Sequence, residues 1–181
     1  EDCFAYCGDD NVAIKQTRYA GMVGDVEDIT IRGCVFLTQK SSLKVGTESQ
    51  GERMKNILFE NNDVLEADRG MALYSLDGSI YENIIYRNNR FERNYPDAQQ
   101  KYFHFQAKRR NPDSRLGRLA SVLIEDCSFL YKFPKGAVAE YAGDDPDGVN
   151  ISIKNLTVAG EKITTPGEAS IQIKNANIVF E

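Results

Sequence analysis

The sequence predicts an all-β chain wound into a right-handed parallel β-helix, and three observations carry that reading. A motif recurs five times along the chain. Inside each copy, apolar residues stand two apart, the period of a strand with one buried face. No stretch of useful length has the 3.6-residue period of a helix. The copies occupy residues 26–36, 54–64, 81–91, 119–129 and 148–158. From Ile29 to Ile57, Ile84, Val122 and Ile151 the steps are 28, 27, 38 and 29 residues. A near-constant period in this range is the signature of a solenoid.

Taken in order, each copy opens with a strand, such as Ile29/Ile31 or Ile57/Phe59, and reaches a polar corner at Gly33-Cys34, Asn61-Asn62 or Asn88-Asn89. A second alternating run follows about ten residues later. These runs are Val12/Ile14, Leu43/Val45, Met71/Leu73, Phe103/Phe105, then Val138, then Ile171/Ile173. Glu1-Asp2-Cys3-Phe4 reads as the tail of an earlier copy, matching Glu125-Asp126-Cys127. Strand, corner, strand and turn without helices mean coils that stack in parallel. Leucine-rich repeats lack their leucine spacing here, and a β-sandwich would show hairpin turns instead of in-phase copies. Stacked coils lie about 4.8 Å apart, so equivalent positions form ladders. Ile31, Phe59, Tyr86, Ile124 and Ile153 are expected on one ladder. Cys3, Cys34, Asn62, Asn89, Cys127 and Leu156 are expected on a corner ladder, the cysteines as buried small residues and not as metal ligands.

The 181 residues suit one domain, 1–181, and 41% hydrophobic with 27% charged residues suits a globular chain. A net charge of -5 argues against nucleic acid, which needs a basic face. No apolar run approaches the roughly 20 residues of a membrane span. No signal peptide is visible at Glu1-Asp2-Cys3-Phe4. Asn150-Ile151-Ser152 and Asn155-Leu156-Thr157 are acceptor triplets for glycosylation, a pattern common by chance.

The stretch with the most chemistry is Gly8-Asp9-Asp10-Asn11-Val12-Ala13-Ile14-Lys15. Two adjacent carboxylates at the mouth of a strand disfavour ionising together, so one holds a proton while the other serves as a base. Glycosidic cleavage uses that division of labour, although Asp also favours turns. Aligning the apolar pairs puts Lys40-Ser41-Ser42 beneath the acids, then Asp68-Arg69-Gly70, then Gln100-Lys101-Tyr102. Outward positions of the same strands carry Lys15, Lys44, Ala72/Tyr74 and His104/Gln106. Asp9 and Asp10 are therefore candidate catalytic residues. Lys15, Lys44, Arg69, Tyr74, His104 and Arg109 are candidate contacts to an elongated polysaccharide. Arg109 belongs to the cationic loop Lys108-Arg109-Arg110-Asn111-Pro112-Asp113-Ser114-Arg115. Gly143-Asp144-Asp145-Pro146-Asp147-Gly148 lacks calcium-loop spacing and reads as a turn. No metal and no cofactor is expected.

With the repeat and the acid pair together, the chain resembles the polygalacturonase-like glycoside hydrolases of the pectin-lyase-like β-helix superfamily, family 28 nearest and the family 49 dextranases a cousin. Gly8 to Lys15 is similar to that family's Gly-Asp-Asp-x-x-Ala-Ile-Lys. Leu43-Lys44-Val45-Gly46-Thr47-Glu48-Ser49 is similar to its Ser-Ile-Gly-Ser-Glu stretch. Leu156-Thr157-Val158-Ala159-Gly160-Glu161-Lys162-Ile163 is similar to the ending of many members. The resemblance implies inverting hydrolysis, with one of Asp9 and Asp10 as general acid and the other helping to activate water. It also implies a secreted or periplasmic monomer. The family's Asn-Thr-Asp-Gly coil has no counterpart in the chain. Its Gly-His-Gly falls at Lys40-Ser41-Ser42 and its Arg-Ile-Lys at Ala72-Leu73-Tyr74, without those cations, which points to a sugar other than galacturonate. The chain starts inside a repeat, so the C-terminal part of a longer β-helix is expected. The alternatives are a non-catalytic glycan-binding or adhesin-like scaffold, and a lyase with Lys15 or Arg69 as its base.

Overall fold

The computed structural model describes all of residues 1–181. The chain makes six coils around three parallel sheets. Coil one holds β1 (Phe4–Cys7), β2 (Val12–Gln16) and β3 (Val26–Arg32). Coil two holds β4 (Val35–Thr38), β5 (Ser41–Ser49) and β6 (Arg53–Glu60), and coil three β7 (Asp63–Ala67), β8 (Arg69–Ser75) and β9 (Ile80–Arg87). Coil four holds β10 (Arg90–Asn94), β11 (Lys101–Ala107) and β12 (Arg118–Glu125). Coil five holds β13 (Ser128–Phe129), β14 (Ala137–Tyr141) and β15 (Val149–Lys154). The last coil holds β16 (Thr157–Val158), β17 (Glu161–Lys162), β18 (Ile171–Lys174) and β19 (Asn177–Phe180). Every strand pairs in parallel with its counterpart one coil away, except the small antiparallel β16–β17 pair. No helix is long and apolar enough to cross a membrane.

Inward side chains form continuous columns. In the third sheet Ile31 stands on Phe59, then Tyr86, Ile124, Ile153 and Phe180. In the second sheet Ile14, Val45, Leu73, Phe105, Ala139 and Ile173 are in register. Rings stack within the columns, Phe59 on Tyr86 at 5.0 Å in the third sheet and Phe91 on Phe129 at 4.3 Å in the first, measured between centroids. One position of the second run differs from expectation. The residues of β14 that face the core are Ala137 and Ala139, and Val138 faces outward, in register with His104. Strand parity decides, and it favours the two small alanines because rings from coil four already fill that space.

The corners explain the repeat. Asp2, Gly33, Asn61, Asn88, Asp126 and Asn155, one per coil, all hold a positive φ between 50° and 66°. Asn, Asp and Gly are the residues that tolerate this left-handed conformation. The residue that follows each of them builds the corner ladder. Asn62 Oδ1 accepts from the Cys34 N–H, and Asn89 Oδ1 accepts from the Asn62 N–H and from its amide. The amides of Asn62 and Asn89 donate to the carbonyls of Ile31 and Phe59. Cys34 and Cys127 are buried in this ladder, and burial pushes the Cys127 thiol up to about 12. Cys3, expected to be buried with them, is exposed at the first rung of the ladder. All four cysteines are free thiols. The segment 143–148 is a turn, with Asp145 accepting from the Asp147 N–H ahead of a short 3-10 element at Pro146–Gly148.

Asn89 is fully buried and satisfies two backbone groups, the Asn62 N–H and the Phe59 carbonyl. Asn89→Ala strands both, and each orphaned buried group costs about 1–3 kcal/mol. Urea unfolding should therefore show a loss of roughly 2–4 kcal/mol. A loss below about 0.5 kcal/mol would mean that the corner is held by something else.

Candidate functional site

The acid pair sits where the sequence puts it, in the bend between β1 and β2 at the rim of the second sheet. The glycine before it is dispensable in shape: Gly8 has no positive φ, and a Cβ there would meet nothing within 4 Å. Asp9 is exposed, and its Oδ1 accepts from the N–H of the next residue, Asp10, at 2.9 Å. The Asp9 carbonyl accepts from the Thr38 hydroxyl, which ties the bend to coil two. Asp10 turns the other way. Its Oδ1 accepts from the Ser41 N–H at 3.0 Å, and its Oδ2 lies 2.5 Å from Lys44 Nζ. Both side chains of that ion pair are close to nine-tenths buried.

The outward face of the second sheet continues the cluster over the next two coils. Ala13, Lys44, Ala72 and His104 share one outward column. Ala72 is fully buried although it faces outward, because larger neighbours close over its methyl group. Lys44 Nζ lies 5.8 Å from the Tyr74 ring, and the His104 ring meets Tyr74 edge-on at 5.3 Å. Arg69 Nη1 donates to the Tyr74 hydroxyl at 3.4 Å, and that hydroxyl is 3.0 Å from His104 Nδ1. A guanidinium can only donate. The phenol accepts from Arg69 and shares a second hydrogen bond with His104 Nδ1, whose direction follows the tautomer of a neutral imidazole. Electrostatics agree. Burial pulls the His104 pKa down to about 4, and the cations Lys101, Arg69 and Lys108 push the same way against Glu140. Burial raises the Tyr74 phenol, against the pull of Arg69. Arg69 is held from below by Asp68, which is fully buried and accepts from the Gln99 and Gln100 N–H groups.

Asp10, Lys44, Arg69, Tyr74 and His104 are thus brought together from four successive coils. Lys15 and Arg109 are not. Lys15 pairs with Glu48 at 2.9 Å. The register jumps there, Ile14 facing Val45 but Gln16 facing Ser49, so residues 46–48 loop out and carry Glu48 to Lys15. Arg109 folds into its own loop, donating to the Ser114 carbonyl at 2.7 Å. Its neighbour Arg110 anchors that loop on Asp77 and the Thr47 carbonyl, at the edge leading to the third sheet. Two features were not singled out from the sequence: Asp68, the buried support of Arg69, and Lys101, nearly buried one rung above Arg69. The signal for both was present in the aligned triplets 68–70 and 100–102. Comparison with protein-family models, with curated proteins and with solved structures gives no match.

Two outcomes test this geometry. Lys44→Met leaves the Asp10 carboxylate buried without its cation, and a loss of about 2–4 kcal/mol is expected. Asp10→Asn combined with Lys44→Met should recover about half of it, giving a coupling energy of roughly 1–3 kcal/mol in denaturant titrations; simple additivity would mean no interaction. The second outcome concerns pH. The pKa of His104 is lowered on folding, so the unfolded chain binds the extra proton between pH 6.5 and about 4. Its contribution is intact above pH 6.5, is lost as pH falls through that window, and levels off below about 4. The fall is of order 3 kcal/mol, since each unit is worth about 1.36 kcal/mol. His104→Gln should flatten the pH dependence of stability in that window, and an unchanged slope would place the titrating group elsewhere.

Proposed function

We propose that this chain is a carbohydrate-active β-helix that hydrolyses a polysaccharide laid along the outer face of its second sheet. The observation that carries the proposal is the convergence of Asp10, Lys44, Arg69, Tyr74 and His104, from four successive coils, on one side of the solenoid. An elongated substrate running across the rungs would meet these groups in turn, with the half-buried His104 and its charged neighbours turned to the sugar hydroxyls and the buried Tyr74 holding them in place. The acid pair resembles that of the polygalacturonase-like hydrolases, and its surroundings support separate roles. Both oxygens of Asp10 accept hydrogen bonds, one from the Ser41 N–H and one from Lys44, which orients a carboxylate suited to take a proton from water. Asp9 uses only Oδ1, on the Asp10 N–H. Its other oxygen faces solvent and is the one to donate a proton to the leaving oxygen. Water attacks the anomeric carbon as Asp10 takes its proton, the glycosidic C–O bond breaks as Asp9 protonates the leaving oxygen, and the product is the inverted anomer.

A second reading, glycan binding without cleavage, is favoured by the same ion pair. The ion pair with Lys44 stabilises the Asp10 carboxylate and makes it a weaker base, and such a site can hold a sugar without reacting.

Incubation with a panel of soluble polysaccharides, followed by reducing-end release and proton NMR of the fresh product, separates the two. Hydrolysis with inversion is expected. Asp9→Asn and Asp10→Asn should each lower the rate by roughly 10²–10⁴-fold, the scale of a lost acid or base, while the melting temperature stays within a few degrees of the parent. Saturable binding with no reducing ends would leave the binding reading in its place, and full activity in both asparagine variants would take the acid and base roles from Asp9 and Asp10.

A further inference from the structure

We infer that the chain carries an anion subsite centred on Lys101, three coils along the groove from Asp10, that takes a carboxylate- or sulfate-bearing sugar of the glycan. The inference rests on the proposed glycan groove but not on cleavage within it. Lys101 is 8% exposed and stands at the start of β11, in register with Arg69. Its ammonium donates to the Gln99 carbonyl at 3.1 Å and to Gln99 Oε1 at 3.3 Å, and it forms no ion pair. An ammonium has three donors, so one is left without a protein partner.

The neighbouring carboxylates are already engaged. Asp68 accepts from two backbone N–H groups and faces Arg69 at 3.4 Å. Glu140 accepts from Gln106 at 2.6 Å and from Lys174 at 2.7 Å. A nearly buried cation without a counterion is an expensive arrangement. Its burial and the charges of Lys135 and Arg69 lower the Lys101 pKa against the pull of Asp68, so the charge is only partly compensated.

Lys101 also borders open space. It lines a cleft of about 470 Å³ together with Gln99, His104, Gln106, Glu140 and Gln172. This volume lies in the range of ligand sites. His104, held by Tyr74 through Nδ1, lines the same cleft. An anionic substituent entering there would meet the unused ammonium donor, with amide groups of Gln99 and Gln172 around it. Three rungs separate this point from Asp10, about 14 Å at the spacing of parallel strands, a span that a short oligosaccharide covers. The Arg-Ile-Lys cations missing at Ala72-Leu73-Tyr74 do not make the groove neutral, because Arg69 and Lys101 enter it from the starts of their strands.

The test is calorimetric titration of the whole chain with trigalacturonate, sulfated maltotriose and neutral maltotriose. At least one anionic probe should bind more tightly than maltotriose, and which one does so distinguishes carboxylate from sulfate. Lys101→Met should weaken the anionic probe by roughly tenfold or more, the scale of a charge-assisted hydrogen bond. Lys101→Arg should retain most of the affinity, and neither change should alter maltotriose binding. If Lys101→Met does not fold, the salt dependence of the parent decides, because an ionic contact weakens several-fold as screening shortens to a few ångströms. Equal binding of charged and neutral probes, or undiminished binding by a folded Lys101→Met, overturns the subsite. Binding needs no turnover, so a chain that cleaves nothing still tests it. A chain that cleaves yet treats both maltotrioses alike keeps the hydrolase reading and loses this one.

Discussion

Six residues at positive φ, one at the same corner of each coil, set the geometry on which everything else in this chain depends. Asp2 leads into the first sheet, and the other five turn the chain from the third sheet of one coil into the first sheet of the next. Their N–H groups remain in the ladder, Gly33 bonding to the Glu60 carbonyl, Asn61 to Arg87 and Asn88 to Glu125. Because the bend is identical from coil to coil, the strands that follow start in phase and like residues fall on like residues. Burial of the aliphatic and aromatic columns then stabilises a register that the corners have already chosen. Side chains reinforce it: Asn155 reaches Asp126 and Asn88 reaches Asn61, each bonding its counterpart one coil away.

The outward face of the second sheet inherits that order. A residue such as Ala72 has no chemistry of its own, yet its small size lets Lys44, Tyr74 and His104 close together above it. Asp68 acts at a distance in a similar way, fastening Arg69 and the 99–100 backbone at once. The candidate site is a product of stacking more than of any one loop. The cationic loop 108–115 spends its arginines on anchoring: Arg110 on Asp77 and Arg115 on Glu52.

The architecture was legible in the sequence because its periodicity is nearly unbroken. The one long step, to Val122, reflects longer connections on both sides of β11, residues 95–100 and 108–117, and leaves the pairing of Tyr86 with Ile124 intact. Legibility failed where side-chain size and register disagreed. Val138 looks like a core residue only because its inward neighbours are alanines. Lys15 looks like a groove residue only if the strands align without a break, and residues 46–48 break them. The isolation of Lys101 could not be read in advance, since it depends on where the oxygens of Asp68 and Glu140 find their partners. The left-handed corners could have been read from Asp, Gly and Asn recurring before each corner-ladder residue.

The ladder also limits how such a surface can change. Neighbouring groups along the groove are separated by the strand spacing of a parallel sheet, about 4.8 Å, which backbone hydrogen bonds enforce and no side-chain substitution adjusts. Asp10, Lys44, Tyr74 and His104 occupy consecutive marks on that scale. Selectivity for one polymer over another must therefore arise in discrete steps, by exchanging what stands at a mark or by inserting a whole coil, and a ligand whose own repeat is incommensurate with the rungs can satisfy only some of them at a time.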